Sequence, residues 1–149
     1  MAAKSCLAIA SDHAGTNLKA FLKAEMKEVE FCDFGTEGTA SVDYPDFAQK
    51  ACEAVLKGQC ERAILVCGTG LGMSIAANKI NGIRAAHVES VFTAQMSAEH
   101  NAANVLCLGE RVTGTSHALM MVRAWLNAKF ETRHQKRVDK ITALEGSSK

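Results

Sequence analysis

The sequence predicts an α/β fold: a doubly wound, five-stranded parallel sheet in the order 2-1-3-4-5, with helices on both faces and an extra C-terminal helix. Three observations lead there. Short apolar runs alternate with amphipathic stretches along the whole chain. The runs are continuous rather than alternating, which suits strands covered on both faces. Strand–helix alternation calls for parallel strands joined by right-handed crossovers, and five strands wound in both directions commonly take that order.

The predicted strands are CLAIAS (6–11), VEFCDF (29–34), RAILVC (62–67), IRAAHV (83–88) and NVLCLG (104–109). Between the first two, Leu18, Phe21, Leu22 and Met26 recur at helical spacing after Gly15-Thr16. Phe47, Ala51, Ala54 and Val55 do the same after Asp43-Tyr44-Pro45. Shorter helical patterns cover 73–80 and 90–100, and a longer one covers 115–129. The last helix, 133–145, has no strand after it and is therefore a candidate to reach across to a partner subunit. The polar tail Gly146-Ser147-Ser148-Lys149 is expected to fray.

A chain of 149 residues fits a single domain, 1–149, and buries a core without disulfides or a structural metal. The net charge of +1 gives no basic field for nucleic acid, and one Trp and one Tyr make a poor base-stacking surface. No apolar run is long enough for a membrane span, and MAAKSCLAIASDHAG lacks a signal-peptide core. The six cysteines include no CxxC pair, and no HExxH frame occurs. Reduced thiols in a cytoplasmic protein, most of them acting as small core hydrophobes, are the expectation.

Ligands of open parallel sheets bind at the carboxyl ends of the strands, at the switch point between strands 1 and 3. Strand 1 ends in Ser11-Asp12-His13-Ala14-Gly15, and strand 3 in Cys67-Gly68-Thr69-Gly70-Leu71-Gly72. The glycines let backbone N–H groups approach a ligand, and the helix after them adds its positive end. The loop is thus an expected nest for a phosphate or a developing oxyanion, with Cys67 at its lip. It does not match the usual phosphate loops. The spacing is GxGxG after the third strand, not GxGxxG after the first; no Lys follows Gly72; and no Arg lies between Arg62 and Arg84 to close a thiol-phosphatase cradle. Asp12 serves equally well as a helix cap, and His100-Asn101, at a helix end, as dipole partners. Arg133 and Arg137 stand one helical turn apart beside His134, and Arg111 follows strand 5; guanidiniums so placed suit a phosphate.

Taken in order, SDHAG, DYP, CGTGLGMSIAANKINGIRA, HNAANVL, GERV and RHQKRV resemble the motifs of the ribose-5-phosphate isomerase B family, which also includes allose-6-phosphate and galactose-6-phosphate isomerases. The resemblance spans about residues 6–145. It implies interconversion of ribose 5-phosphate and ribulose 5-phosphate without metal or organic cofactor. It also implies a homodimer, in some relatives a tetramer, with active sites shared between subunits. Position by position, Cys67 matches the catalytic base and His100 the group that helps open the sugar ring. Asp12, His13 and Tyr44 match substrate contacts, and Gly68, Gly70, Leu71 and Gly72 the anion hole. Asn101, Arg111, Arg133 and Arg137 match binding positions, the arginines directed at phosphate. Thr69 is a candidate for moving a proton between O1 and O2. Some relatives carry a Glu base where this chain has Met73, so the sequence looks like the cysteine-using branch. The sibling expectation is a six-carbon sugar phosphate, and the non-catalytic alternative is a phosphate-binding module.

Overall fold

The computed structural model describes residues 6–146; the expected frayed tail therefore lies, apart from Gly146, outside the described residues. The elements are β1 (Cys6–Ser11), α1 (Thr16–Glu25), β2 (Phe31–Asp33), α2 (Tyr44–Leu56), β3 (Cys60–Cys67), α3 (Leu71–Ala77), β4 (Ala85–His87), α4 (Val91–Asn101), β5 (Val105–Gly109), α5 (Thr115–Asn127), a 3-10 turn (Thr132–His134) and α6 (Gln135–Glu145). All strand pairs are parallel. The α/β class, the five strands and the closing helix are as predicted.

The strand order is not. It is β2-β1-β3-β5-β4, so the last two strands exchange places relative to the expected 2-1-3-4-5. The cause lies in crossover handedness. A right-handed connection puts its helix on one face when the chain moves outward and on the other when it moves back. Here α3 packs with α2 on one face, and α4 packs with α5 on the other. The chain therefore steps outward over α3 to β4 and returns over α4 to β5. The short, partly exposed β4 takes the edge, while every residue of β5 is buried between its neighbours.

Alternation along the central strands divides the core in two. Ala8, Ala10, Ala63, Leu65, Cys67, Val105 and Cys107 face α2 and α3, joined by Ala48, Ala51 and Met73. Leu7, Ile9, Ile64, Val66, Leu106 and Leu108 face α1, α4 and α5, joined by Leu18, Leu22, Met121 and Trp125. The first layer is small-residue packing, which lets α2 and α3 approach the sheet closely; the second is bulky. Trp125 is fully buried, and its indole N–H donates to Ala103 O at 3.0 Å. Arg62 covers its ring at 4.7 Å and donates to the carbonyls of Trp125 and Leu126, which ties the amino end of β3 to the end of α5.

At the β2 edge, Lys19 and Lys23 of α1 both hold the Asp33 carboxylate, at 2.9 and 2.8 Å. Burial pushes the Asp33 carboxyl up, but the bonds from Lys23, Lys19 and the Gly35 N–H outweigh it and hold the group below its usual range. No helix among the described residues is long and apolar enough to cross a membrane.

Candidate active site

The β1–β3 adjacency survives the change in strand order, so the two polar loops meet at the carboxyl edge as the sequence predicts. The Asp12 N–H donates to Val66 O at 3.2 Å, next to Cys67. The Asp12 carboxylate accepts the Ala14 N–H at 2.9 Å and is almost fully buried. It shapes its own turn rather than capping α1, whose cap residue is Gly15 and makes no side-chain cap bond. The α1 cap comes from elsewhere: Glu110, just past β5, accepts the Leu18 N–H at 2.6 Å. His13 Nδ1 accepts the Val42 N–H at 3.3 Å, which leaves the proton of the neutral ring on Nε2 and brings the loop before Tyr44 over the β1 end.

Cys67 is 5% exposed, and its sulfur accepts the Gly70 N–H at 3.1 Å. The glycine loop is crowded from several sides. A Cβ on Gly70 would meet the His87 ring at 2.7 Å, and this residue also sits at φ +81°, where a side chain is strained. A Cβ on Gly72 would strike the Tyr44 ring at 2.6 Å, and one on Gly109 the Thr69 backbone at 2.5 Å. The His87 Nε2 lies 2.8 Å from Thr69 O and holds the loop from the β4 side. The Leu71 N–H donates to Thr69 Oγ1 at 3.3 Å. Arg111 completes the wall: its N–H donates to Gly68 O at 3.0 Å, and its guanidinium lies over Gly68. Met73 is fully buried in the layer that contains Cys67, where it fills space.

Cys67, Thr69, Asp12, His13, Tyr44, Gly68, Gly70, Leu71, Gly72 and Arg111 thus gather at one edge. His100, Asn101, Arg133 and Arg137 do not join them within the chain. Helix α4 runs from the carboxyl edge down to the amino edge, and His100 and Asn101 stand at its far end, before β5 begins. Since Gly109 is level with Cys67, the length of β5 alone separates the two groups by roughly 15 Å.

The second group is itself well organised. The Ala102 backbone is left-handed, φ 48°, and the Arg84 guanidinium binds its carbonyl at 2.9 and 3.1 Å and that of Asn101 at 3.1 Å. Glu131 N–H donates to Glu99 O at 2.8 Å, which brings the last segment onto α4. The His100 and His134 rings lie 4.3 Å apart. Arg137 Nη1 is 3.0 Å from His134 Nδ1, and Arg133 Nε donates to Glu131 at 2.6 Å. The expectation that Arg133 and Arg137 share one helix face is corrected: Arg133 belongs to the 3-10 turn and Arg137 to α6. Glu131 N–H bonding to α4 draws the chain there before the α-helix starts.

Burial, then the charges of Arg133, His100 and Arg137, push the His134 imidazole below its ordinary value. The Arg133 hydrogen bond holds Glu131 below the usual carboxylate range despite some burial, with help from the charge of Arg133 and of the two histidines. His100, Glu131 and His134 place three potential metal donors within 4.8 Å. The two guanidiniums and the Arg133–Glu131 pair make that a place for an anion rather than a cation. Beside it, a groove of ≈ 790 Å³ is lined in part by Asn81, Arg84, Asn101, Ile141 and Leu144. Helix α6 folds back along this edge, where Glu145 accepts the Gly82 N–H at 2.7 Å.

Sequence reasoning did not assign His87, Glu110, Glu131 or His134. The first two were findable as polar residues ending predicted strands at the ligand-binding edge; the last pair flank Arg133 in the chain.

Residues 7–141 match the family described as Ribose/Galactose Isomerase. The chain is 46% identical over 142 residues to ribose-5-phosphate isomerase B of Escherichia coli, covering 93% of this chain and 95% of that one. The structure of ribose-5-phosphate isomerase B from Clostridium thermocellum superimposes with a TM-score of 0.92 at 53% identity, covering 94% of this chain and 97% of that one. The enzyme of the same name from Mycoplasma genitalium, solved with bound ribulose-5-phosphate, gives 0.91 at 39% identity, covering 99% and 100%. With the family model matching residues 7–141 and the fold agreeing over nearly its whole length, the chain belongs to the ribose/galactose isomerase family.

Proposed function

We propose that the protein interconverts D-ribose 5-phosphate and D-ribulose 5-phosphate through an enediolate, in a homodimer whose sites each join the carboxyl edge of one subunit to the His100 cluster of the other. The observation that carries the chemistry is the buried Cys67 sulfur accepting the Gly70 N–H inside a loop walled by His87, Tyr44 and Arg111. The observation that carries the dimer is the separation of two complementary half-sites in one chain. The E. coli relative bears the name of this activity, and the M. genitalium relative binds the ketose product.

The substrate is mainly a closed furanose. His100, as general acid–base, moves the ring-opening proton between the anomeric hydroxyl and the ring oxygen. Cys67 as thiolate then takes the C2 proton and returns it at C1. Negative charge develops on O1 and O2 meanwhile, and backbone N–H groups of the 68–72 loop stabilise it, a contribution of about 3 kcal/mol per donor in comparable sites. Thr69, its hydroxyl held by the Leu71 N–H, moves the proton from O2 to O1. Asp12, His13, Tyr44 and Asn101 orient the sugar hydroxyls. Arg111 of one subunit and Arg133 and Arg137 of the other hold the phosphate and so fix the reacting carbons over Cys67. No step calls for a metal ion or organic cofactor, and the chemistry suits a cytoplasmic sugar-phosphate enzyme.

The test is formation of ribulose 5-phosphate from ribose 5-phosphate by purified protein, with and without excess EDTA, beside Cys67→Ala. Activity that ignores EDTA and disappears in the variant is expected. Turnover of six-carbon sugar phosphates in preference to ribose 5-phosphate moves the substrate but keeps the site. Phosphate-sugar binding without turnover, unaffected by loss of Cys67, overturns the enzyme reading.

A further inference from the structure

At the opposite end of the sheet from Cys67, three more cysteines converge. Cys6 opens β1, Cys60 opens β3, and Cys32 is the middle residue of β2. Three adjacent strands therefore put three sulfurs at one place, and all lie within 4.8 Å of one another. Cys6 Sγ lies against both Cys32 Sγ and Cys60 Sγ. The Cα separations, 6.1 Å for Cys6–Cys32 and 4.8 Å for Cys6–Cys60, both fall in the range a disulfide spans. One sulfur carries one S–S bond, so the two pairings exclude each other. The other three cysteines, Cys52, Cys67 and Cys107, are free and buried.

We propose that Cys6, Cys32 and Cys60 form a three-thiol oxidation site that gives two electrons to a hydroperoxide and is left holding either of two exchangeable disulfides, both made by Cys6. Cys32 is the partly exposed member and reacts first. Its thiolate attacks the peroxide, the O–O bond breaks, and water (or an alcohol) leaves, with Cys32 now a sulfenic acid. The Cys6 sulfur attacks the Cys32 sulfur, the S–O bond breaks, and a second water leaves with the Cys6 proton. Two thiols have been oxidised and one peroxide reduced. Cys60 then attacks the Cys6 sulfur and releases Cys32 as a thiol, with no further redox change. Neighbours favour this over a metal site. The sulfurs sit in the small-residue apolar layer that also holds Ala8, Cys52 and Phe34, where an uncharged disulfide is tolerated and a cluster of thiolates around a cation leaves net charge unpaired. Burial also holds the nearby Cys52 thiol up at about 12, so it stays out of the exchange.

The site lies along β3 about 20 Å from Cys67. Oxidation there leaves the isomerase site in place but ties β1 to β2, or β1 to β3, closing loops of 26 or 54 residues. The experiment treats the full-length protein with hydrogen peroxide, alkylates the remaining thiols and maps cross-linked peptides. Expected are both the Cys6–Cys32 and the Cys6–Cys60 linkages, their reversal by dithiothreitol, and an unfolding midpoint several degrees higher before reduction than after. Cys60→Ala retains only the Cys6–Cys32 linkage, and Cys6→Ala loses both while reduced-state turnover is unchanged. If Cys6, Cys32 and Cys60 all stay alkylatable in wild-type protein whose Cys67 has already been oxidised, the proposal fails. If the reduced protein instead binds one Zn²⁺ per chain, lost in Cys6→Ala and protective against peroxide, the cluster is a metal site and the proposal is likewise overturned. Mapping on wild-type protein needs no variant to fold. Activity measured in parallel separates this outcome from any failure of the isomerase assignment.

Discussion

The two edges of the sheet are built differently. At the carboxyl edge the site is made of backbone: glycines at positions where a Cβ would strike Tyr44, His87 or Thr69, a buried sulfur, and a loop held from three strands. At the amino edge the cluster is made of long charged side chains and two histidines with tilted rings, His100 near the end of α4 and His134 in the 3-10 turn, with Arg133 largely exposed and His134 Nε2 buried without a hydrogen bond. In the proposed reaction the first holds negative charge in a fixed place while bonds change, and the second grips the phosphate and supplies the ring-opening group. Each edge has half of what an aldose–ketose isomerisation of a phosphorylated sugar requires, which is the argument for bringing two copies together.

The largest effect that distinguishes the edges is on turnover. Cys67→Ala is expected to lower kcat by about 10³-fold, the usual range for a general base, with the unfolding midpoint nearly unchanged. A loss below tenfold returns Cys67 to a packing role. Gly109→Ala comes next. The added methyl meets the Thr69 backbone and is expected to cost about 2 kcal/mol of stability in urea unfolding and to lower kcat by shifting the loop; a neutral result shows that the loop gives way. At the amino edge, Arg137→Ala is expected to raise KM for the sugar phosphate about 30-fold, from loss of one charge-assisted contact of about 2 kcal/mol, with a much smaller change in kcat. An equal fall in kcat and no change in KM transfers it to the chemical step.

The strands and the carboxyl-edge site were legible because both follow from local pattern: continuous apolar runs for buried strands, and a glycine loop opening a helix at the switch point. The β4/β5 exchange was not. It depends on which face α4 covers, and α4, with Ala94 and Ala98 buried and Phe92 largely exposed, has only a faint apolar stripe to say so. In the observed order His87 still reaches Thr69, across the end of β5. Arg133 and Arg137 are expected from the sequence to act together on a phosphate, yet the turn that separates them is set by Glu131 bonding to Glu99, a contact 32 residues apart in the chain.

The smallest expected effect is a pH dependence confined to the amino edge. His134 is held neutral in the fold, so on acidification the unfolded chain takes up its proton first, and the fold loses stability as pH falls from the ordinary histidine range through the lowered value. Urea midpoints of wild type and His134→Asn are expected to converge towards acid pH and separate above it. Parallel curves remove His134 from that account.

Subunit complementation tests the shared site most directly. Cys67→Ala and His100→Asn proteins, each inactive alone, are unfolded together and refolded as a mixture. If each site takes Cys67 from one subunit and His100 from the other, the mixed dimers carry one intact site, and activity returns to about a quarter of wild type. If the mixture stays as inactive as its parents while mixed dimers are shown to form, each site lies within one chain and the shared-site account is wrong.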